Sequence, residues 1–217
     1  MSSAAARRDK ILENIAAAAK LSGRDPADVQ LIAVSKTRGA DEIEALIEAG
    51  QRDFGESRVQ EALEKWPPLL ARHSNVRLHG IGRLQSNKAG EAIRLFDTIH
   101  SLDRRSLLDA LVKEAERAQP GLYVQVNIGE EQQKGGCAIR DVGELVGAVR
   151  GSPLPLAGLM CIPPLGLEPA PFFALLQKLG RRHDVMTFSM GMSADYRQAV
   201  MLGATAVRVG TALFEDE

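Results

Sequence analysis

Leu31-Ile-Ala-Val-Ser-Lys36-Thr37 is a short apolar run that delivers one lysine to its polar C-terminal end. Apolar and small residues in a row, closed by a turn-prone segment, read as a buried strand. A lysine at such a strand end either reaches water or sits in a pocket that lowers its pKa and makes it a nucleophile. The rest of the chain decides which environment meets it.

N-terminal to this strand, an alanine-rich segment over 4–22 carries Ile11, Leu12 and Ile15 on one side, with Gly23 just past its end, and predicts a helix. A helix near 40–49 follows, bearing Ile43, Leu46 and Ile47 and closed by Gly50. Residues 52–55 read as a second strand. Helix 57–66 places Val59, Ala62, Leu63 and Trp66 at helical spacing and is expected to stop at Pro67-Pro68. A strand over 77–81, a helix near 89–95, a weak strand over 98–101 and a helix over 104–118 come next, the last stopped by Pro120. Leu122–Ile128 is the clearest strand; helix 140–149, strand 156–160, a proline-rich loop over 162–171 and helix 172–182 follow. Strand 185–188, helix 194–202 and strand 206–209 complete the series. Strands and helices that alternate in this number predict an α/β chain folded as a closed (β/α)8 barrel of the TIM type, not an open doubly wound sheet. No linker divides the chain, so residues 1–217 read as one domain, with the additional N-terminal helix taking the final place in the outer ring.

The bulk properties are compatible with that barrel. A length of 217 residues suits it as one domain, and a formal net charge of −1 leaves no basic footprint for nucleic acid. No apolar run approaches the length that spans a bilayer, and Met1-Ser-Ser-Ala lacks the apolar core of a secretory signal. Cys137 and Cys161 are isolated and form no CxxC. His79 and His100 can point inward from their strands but have no ligand spacing, so no metal site is expected. A cytoplasmic protein is the expectation.

Barrel active sites sit at the C-terminal ends of the strands, and the loops after strands seven and eight often hold phosphate. Those loops here are Ser189-Met-Gly191-Met-Ser193 and Gly210-Thr211. Glycine lets the backbone approach an anion, and Ser193 is placed to cap helix 194–202. Lys36, on the strand beside strand eight, then faces the same pocket. A phosphate cradle with a lysine able to form a Schiff base fits either pyridoxal 5′-phosphate (PLP) or a sugar-phosphate aldolase. Arg208 alternates with Val207 and Val209; if the valines face the helices, the arginine points into the barrel mouth. There it can serve a pyridine nitrogen or an internal ion pair equally well.

The ordered motifs Ala33-Val-Ser-Lys-Thr37, Asp53-Phe-Gly-Glu56, Val59-Gln-Glu61, Ile81-Gly-Arg-Leu-Gln-Ser-Asn-Lys88, Gln125-Val-Asn127, Gly158-Leu-Met160, Ser189-Met-Gly-Met-Ser193 and Val207-Arg-Val-Gly-Thr211 resemble the YggS/PROSC family of PLP homeostasis proteins over roughly residues 30–214. The resemblance implies the fold of the alanine racemase N-terminal barrel. It implies Lys36 as the Schiff-base lysine, Ser193, Gly210 and Thr211 at the phosphate, and Arg208 beside the pyridine nitrogen; Gly191 joins the cofactor-binding set from its place in the loop after strand seven. The Gln85–Lys88 loop matches a family signature at the pocket rim. Gly55-Glu-Ser-Arg58 departs from the usual Gly-Glu-Asn-Tyr, with a shorter serine at 57.

A racemase needs a second acid–base group opposite the lysine. In alanine racemase a tyrosine from a further domain supplies it. This chain ends where that domain would begin, and Tyr123 and Tyr196 are its only tyrosines. The expected function is therefore reversible PLP binding, with delivery to PLP-dependent apoenzymes and little catalysis. A small amino-acid racemase is the alternative, and a monomer is expected.

Overall fold

A computed structural model describes residues 3–215; residues 1–2 and 216–217, the ends of the expected domain, lie outside it. Eight parallel strands close into one barrel in sequence order: β1 (Gln30–Val34), β2 (Asp53–Glu56), β3 (Arg77–Gly80), β4 (Thr98–Leu102), β5 (Gly121–Val126), β6 (Leu156–Cys161), β7 (Phe188–Ser189) and β8 (Ala206–Val209). Closure is made by β8 against β1, in register from Gln30 opposite Ala206 to Ala33 opposite Val209. The helices are α1 (Ala4–Leu21), α2 (Ala40–Glu48), α3 (Val59–Arg72), α4 (Ala89–Leu95), α5 (Arg105–Val112), α6 (Val142–Arg150), α7 (Ala170–Arg182), α8 (Tyr196–Met201) and α9 (Thr211–Phe214). As expected, α1 packs between α8 and α2 and completes the ring.

Strand alternation sorts the interior into two layers. Leu31, Ala33, Phe54, Val207 and Val209 face the helices and join one apolar cluster with Ile43, Trp66 and Phe173. Ile32 and Arg208, which alternate with them, and Tyr123 and Met160 on β5 and β6 are also buried but stand outside that cluster, inside the barrel. Fully burying such large apolar side chains stabilises by roughly 1.5–3 kcal/mol each, which outweighs local propensities where the two conflict.

One such conflict is α3, which runs through Pro67 and Pro68 to Arg72 and does not stop at 66. Its buried stripe of Ala62, Trp66 and Leu69 extends past the prolines, so packing overrides the missing amides. The helix expected over 104–118 ends at Val112 instead, and tight turns continue it: Glu114 N donates to Leu111 O and Ala115 N to Val112 O. β7 starts at Phe188, not 185. Val185 N donates to Gly180 O at 2.9 Å and Asp184 has φ +53°, so these residues close the end of α7 before the strand begins.

Candidate functional site

Lys36 lies two residues beyond β1, exposed, at the C-terminal mouth. Its flanks are fixed from below. Ser35 donates from N to Gly55 O (3.0 Å) and from Oγ to Glu56 Oε1 (2.7 Å), and Lys65 Nζ donates to Ser35 O (2.9 Å). On the other side, Thr37 N donates to Glu61 Oε1 at 2.7 Å. That backbone hydrogen bond holds the Glu61 carboxyl below its usual range. Thr37 has φ +63°, a left-handed conformation that a β-branched residue adopts only when its surroundings impose it. The anchor for all of this is Glu56, fully buried at the end of β2, whose Oε1 meets Lys65 Nζ at 2.7 Å and Trp66 Nε1 at 2.9 Å.

The loops after β7 and β8 meet beside this turn. Gly210 N donates to Ser193 Oγ at 3.3 Å, and a Cβ on Gly210 would lie 3.5 Å from Val34 Cβ, which puts the β8 end against the β1 end. Gly191 has φ +94°, and a Cβ there would come within 2.6 Å of Ala199 Cβ and 2.9 Å of Tyr196 Cα. Only glycine lets this loop lie on α8. Ser193 does not cap that helix as expected. A turn over 192–195 intervenes, with Met192 N donating to Asp195 Oδ1 (2.6 Å), and Asp195 takes the cap position. With α8 starting at Tyr196 and α9 spanning only Thr211–Phe214, an anion here would be held by the Ser193 and Thr211 hydroxyls and by loop amides more than by helix dipoles. Ser193 and Thr211 are exposed, so the mouth is open to solvent.

Arg208 lies beneath, 3 % exposed, with Nη1 donating to Ser189 Oγ and Nη2 to Cys161 O (3.1 Å). Both acceptors are neutral, which argues against the internal ion pair. Burial lowers the Arg208 pKa, but an arginine stays charged at neutral pH. Ser189 in turn meets His100 Nδ1 at 2.8 Å, His100 Nε2 meets His79 Nδ1 at 3.0 Å, and His79 Nε2 meets Asp53 Oδ1 at 3.1 Å. The inward direction of both histidines was legible from strand alternation; their linkage to Arg208 was not.

The Gln85–Lys88 loop lies on another side of the mouth. Arg104 Nη2 holds it through Leu84 O (3.1 Å) and Ser86 Oγ (3.0 Å), and it rims a cavity of about 630 Å³ together with Ser57, Arg58 and Arg83. Met160 and Met190 are fully buried, while Met192 is exposed at the mouth. Among the described residues no three His, Cys, Asp or Glu side chains cluster as metal ligands, and no helix is long and apolar enough to cross a membrane.

Residues 7–217 match the family described as alanine racemase, N-terminal domain. A pyridoxal phosphate homeostasis protein from Pseudomonas aeruginosa is 41% identical, the match covering 99% of this chain and 96% of the relative. The protein of the same name from Escherichia coli is 36% identical over 94% of this chain and 93% of its own. The structure of PipY from Synechococcus elongatus with PLP bound superposes with a TM-score of 0.80 at 39% identity, covering 94% of this chain and 99% of that one. Alanine racemase from Corynebacterium glutamicum shares the fold, with a TM-score of 0.69 at 16% identity over 96% of this chain and 61% of that one.

Proposed function

The chain belongs to the family of pyridoxal phosphate homeostasis proteins, on the alanine racemase N-terminal barrel, and from that premise we propose that it binds PLP reversibly and buffers or delivers it, with little catalysis of its own. The observation that carries this reading is the convergence of the Lys36 turn with the loops after β7 and β8, directly above a buried arginine whose hydrogen-bond acceptors among the described residues are neutral.

The residues fit the group. Gly191 and Gly210 allow close backbone approach, and Ser193 and Thr211 add hydroxyls for a phosphate. Arg208 supplies donors for a pyridine nitrogen, and Lys36 supplies a primary amine on a turn whose backbone is already ordered. When bound, PLP contributes an aldehyde that such an amine can attack reversibly. An arginine donates to the pyridine nitrogen without protonating it, which leaves the ring a weak electron sink.

The tyrosines support the carrier reading over the racemase. Tyr123 is buried and stacks on His100 with centroids 4.4 Å apart, and the Tyr196 hydroxyl accepts from Asn14 Nδ2 at 3.0 Å on the outer side of the barrel. Neither stands opposite Lys36 as a second acid–base group. The reading extends to a single-domain monomer that works in the cytoplasm and hands PLP to PLP-dependent apoenzymes.

The test is the absorption spectrum of wild type and Lys36→Ala before and after adding PLP. A visible band in wild type that the variant lacks is the expected result; a wild type left colourless by excess PLP overturns the assignment in favour of an aldolase. Exchange of the Cα proton of added amino acids for deuterium at enzymatic rates would support the racemase instead.

A further inference from the structure

Asp53, His79, His100, Ser189 and Arg208 form one unbroken hydrogen-bonded line on the inward faces of β2, β3, β4, β7 and β8. It begins at the first residue of β2, at the closed end of the barrel, and finishes at the guanidinium beneath the mouth. All five side chains are buried, from His100 at 0% to Asp53 at 7% exposure.

The two ends determine the proton positions in between. A guanidinium can only donate and a carboxylate can only accept. Arg208 donates to Ser189 Oγ, and in one order the serine proton goes to His100 Nδ1, which is then the acceptor nitrogen. The His100 proton is left on Nε2, where it faces His79 Nδ1; the His79 proton lies on Nε2 and faces Asp53 Oδ1. Every junction then has one donor and one acceptor. The reverse order for the imidazoles places N–H on both nitrogens of His79, adds a second cation to the barrel, and leaves the serine proton without a partner.

The surroundings favour the first arrangement. Asp53 is already engaged by Arg77 at 2.8 and 3.0 Å and by Gln30 Nε2 at 2.8 Å, so it has cationic compensation without a charged His79. His100 has Arg208 on one side and the Tyr123 ring stacked on its face. Burial, reinforced by the Arg208 charge, holds its pKa well below the usual imidazole range.

We infer that Asp53, His79, His100 and Ser189 are positioning residues for Arg208, a one-way relay of neutral Nε2–H imidazoles that presents the Ser189 lone pair to the guanidinium and keeps its charge aimed at the pyridine nitrogen of the bound cofactor. Its last step rests on the proposed PLP site; the relay itself is a property of the chain. It explains how a buried arginine keeps its orientation with no carboxylate hydrogen-bonded to it among the described residues. It also gives a physical reason why the nitrogen meets a fixed donor and no acid, as suits a carrier.

Two measurements test this. The first needs no cofactor and no variant: long-range ¹H–¹⁵N correlation of the imidazoles in PLP-free protein. Both His79 and His100 are expected as Nε2–H tautomers, with His100 staying neutral between roughly pH 6 and pH 8. A protonated His79, or an Nδ1–H proton on either ring, overturns the relay.

The second measurement compares PLP binding and its spectrum in Ser189→Ala and Ser189→Thr. Loss of the hydroxyl is expected to weaken PLP binding by about tenfold, the worth of one hydrogen bond to a charged group, and to shift the absorption band. Threonine, which restores the hydroxyl, should recover both. Unchanged affinity and spectrum in Ser189→Ala overturn the positioning role. If wild type takes up no PLP while the tautomers are as stated, the PLP site and the relay's last step fail together, and the proton order within the chain stands.

Discussion

Replacing Lys65 with methionine removes the ammonium 2.7 Å from Glu56 Oε1 while keeping most of the side-chain volume that packs along α3. The Glu56 side chain is fully buried and the Lys65 side chain 11% exposed, so the variant leaves a carboxylate out of water without its cation. Breaking a buried pair from one side costs about 3 kcal/mol, chiefly the penalty of the orphaned charge. In a chain of this size, each kcal/mol moves Tm by about 3 °C, which puts the expected drop near 9 °C. The double variant Lys65→Met/Glu56→Gln removes both charges and is expected to lose at least ~1 kcal/mol less than the two single losses summed. Trp66, the chain's only tryptophan, donates to Glu56 and reports the transition directly by fluorescence during urea or thermal unfolding. The functional consequence follows from Lys65 Nζ also holding Ser35 O, so the turn that carries Lys36 should exchange its amides faster and take up PLP more slowly. A Lys65→Met protein within ~0.5 kcal/mol of wild type, or strict additivity in the double variant, would show that Glu56 does not depend on Lys65 for its charge compensation.

Two further perturbations probe the mouth and the closed end. Gly191→Ala forces a side chain into φ +94° and against Ala199, and is expected to cost about 2 kcal/mol in thermal melts together with a loss of PLP affinity; an unchanged melt would mean that the loop does not need its glycine. Burial pushes the Asp53 carboxyl up, but hydrogen bonds from His79 and Arg77 outweigh it and hold the pKa below the usual aspartate range. Its stabilising contribution is thus complete above the unfolded pKa of ~3.9 and fades as pH falls through the lower folded value. The gap in Tm between wild type and Asp53→Asn should be full at neutral pH and shrink on acidification below about pH 4; a gap that is constant down to pH 3 would contradict it.

The parts of the fold legible in the sequence were those written in local periodicity. Apolar stripes at helical spacing and short strand runs recur often enough to imply a barrel, and Ser189–Ser193 and Gly210-Thr211 show their small, polar chemistry in adjacent residues. Punctuation was less reliable. Pro67-Pro68 reads as a stop, yet Leu69 beyond it is buried on the same stripe as Ala62 and Trp66, and the energy of that face is non-local. The same limit explains Ser193. An N-cap is a local motif, but here Asp195 competes for it two residues later, and Ser193 turns instead to an amide in the next loop.

What the sequence could not display is the buried polar architecture, because its partners are joined by barrel register and not by spacing. His100 and Ser189 are 89 residues apart and meet at 2.8 Å only because β4 and β7 face each other across the barrel. Glu61 and Lys65 look like an ordinary i,i+4 pair on the surface of α3. Their role appears only once α3 is seen to start three residues after β2, which brings the first two turns of the helix under the β1 end, where Glu61 reaches Thr37 N and Lys65 reaches Ser35 O. A motif match can therefore nominate Lys36 and Arg208. The groups that hold each of them in place are found from geometry, and both sets reach back to β2: Glu56 on its outward face supports the lysine turn, and Asp53 on its inward face begins the line that ends at the arginine. One short strand thus supports both ends of the proposed cofactor site.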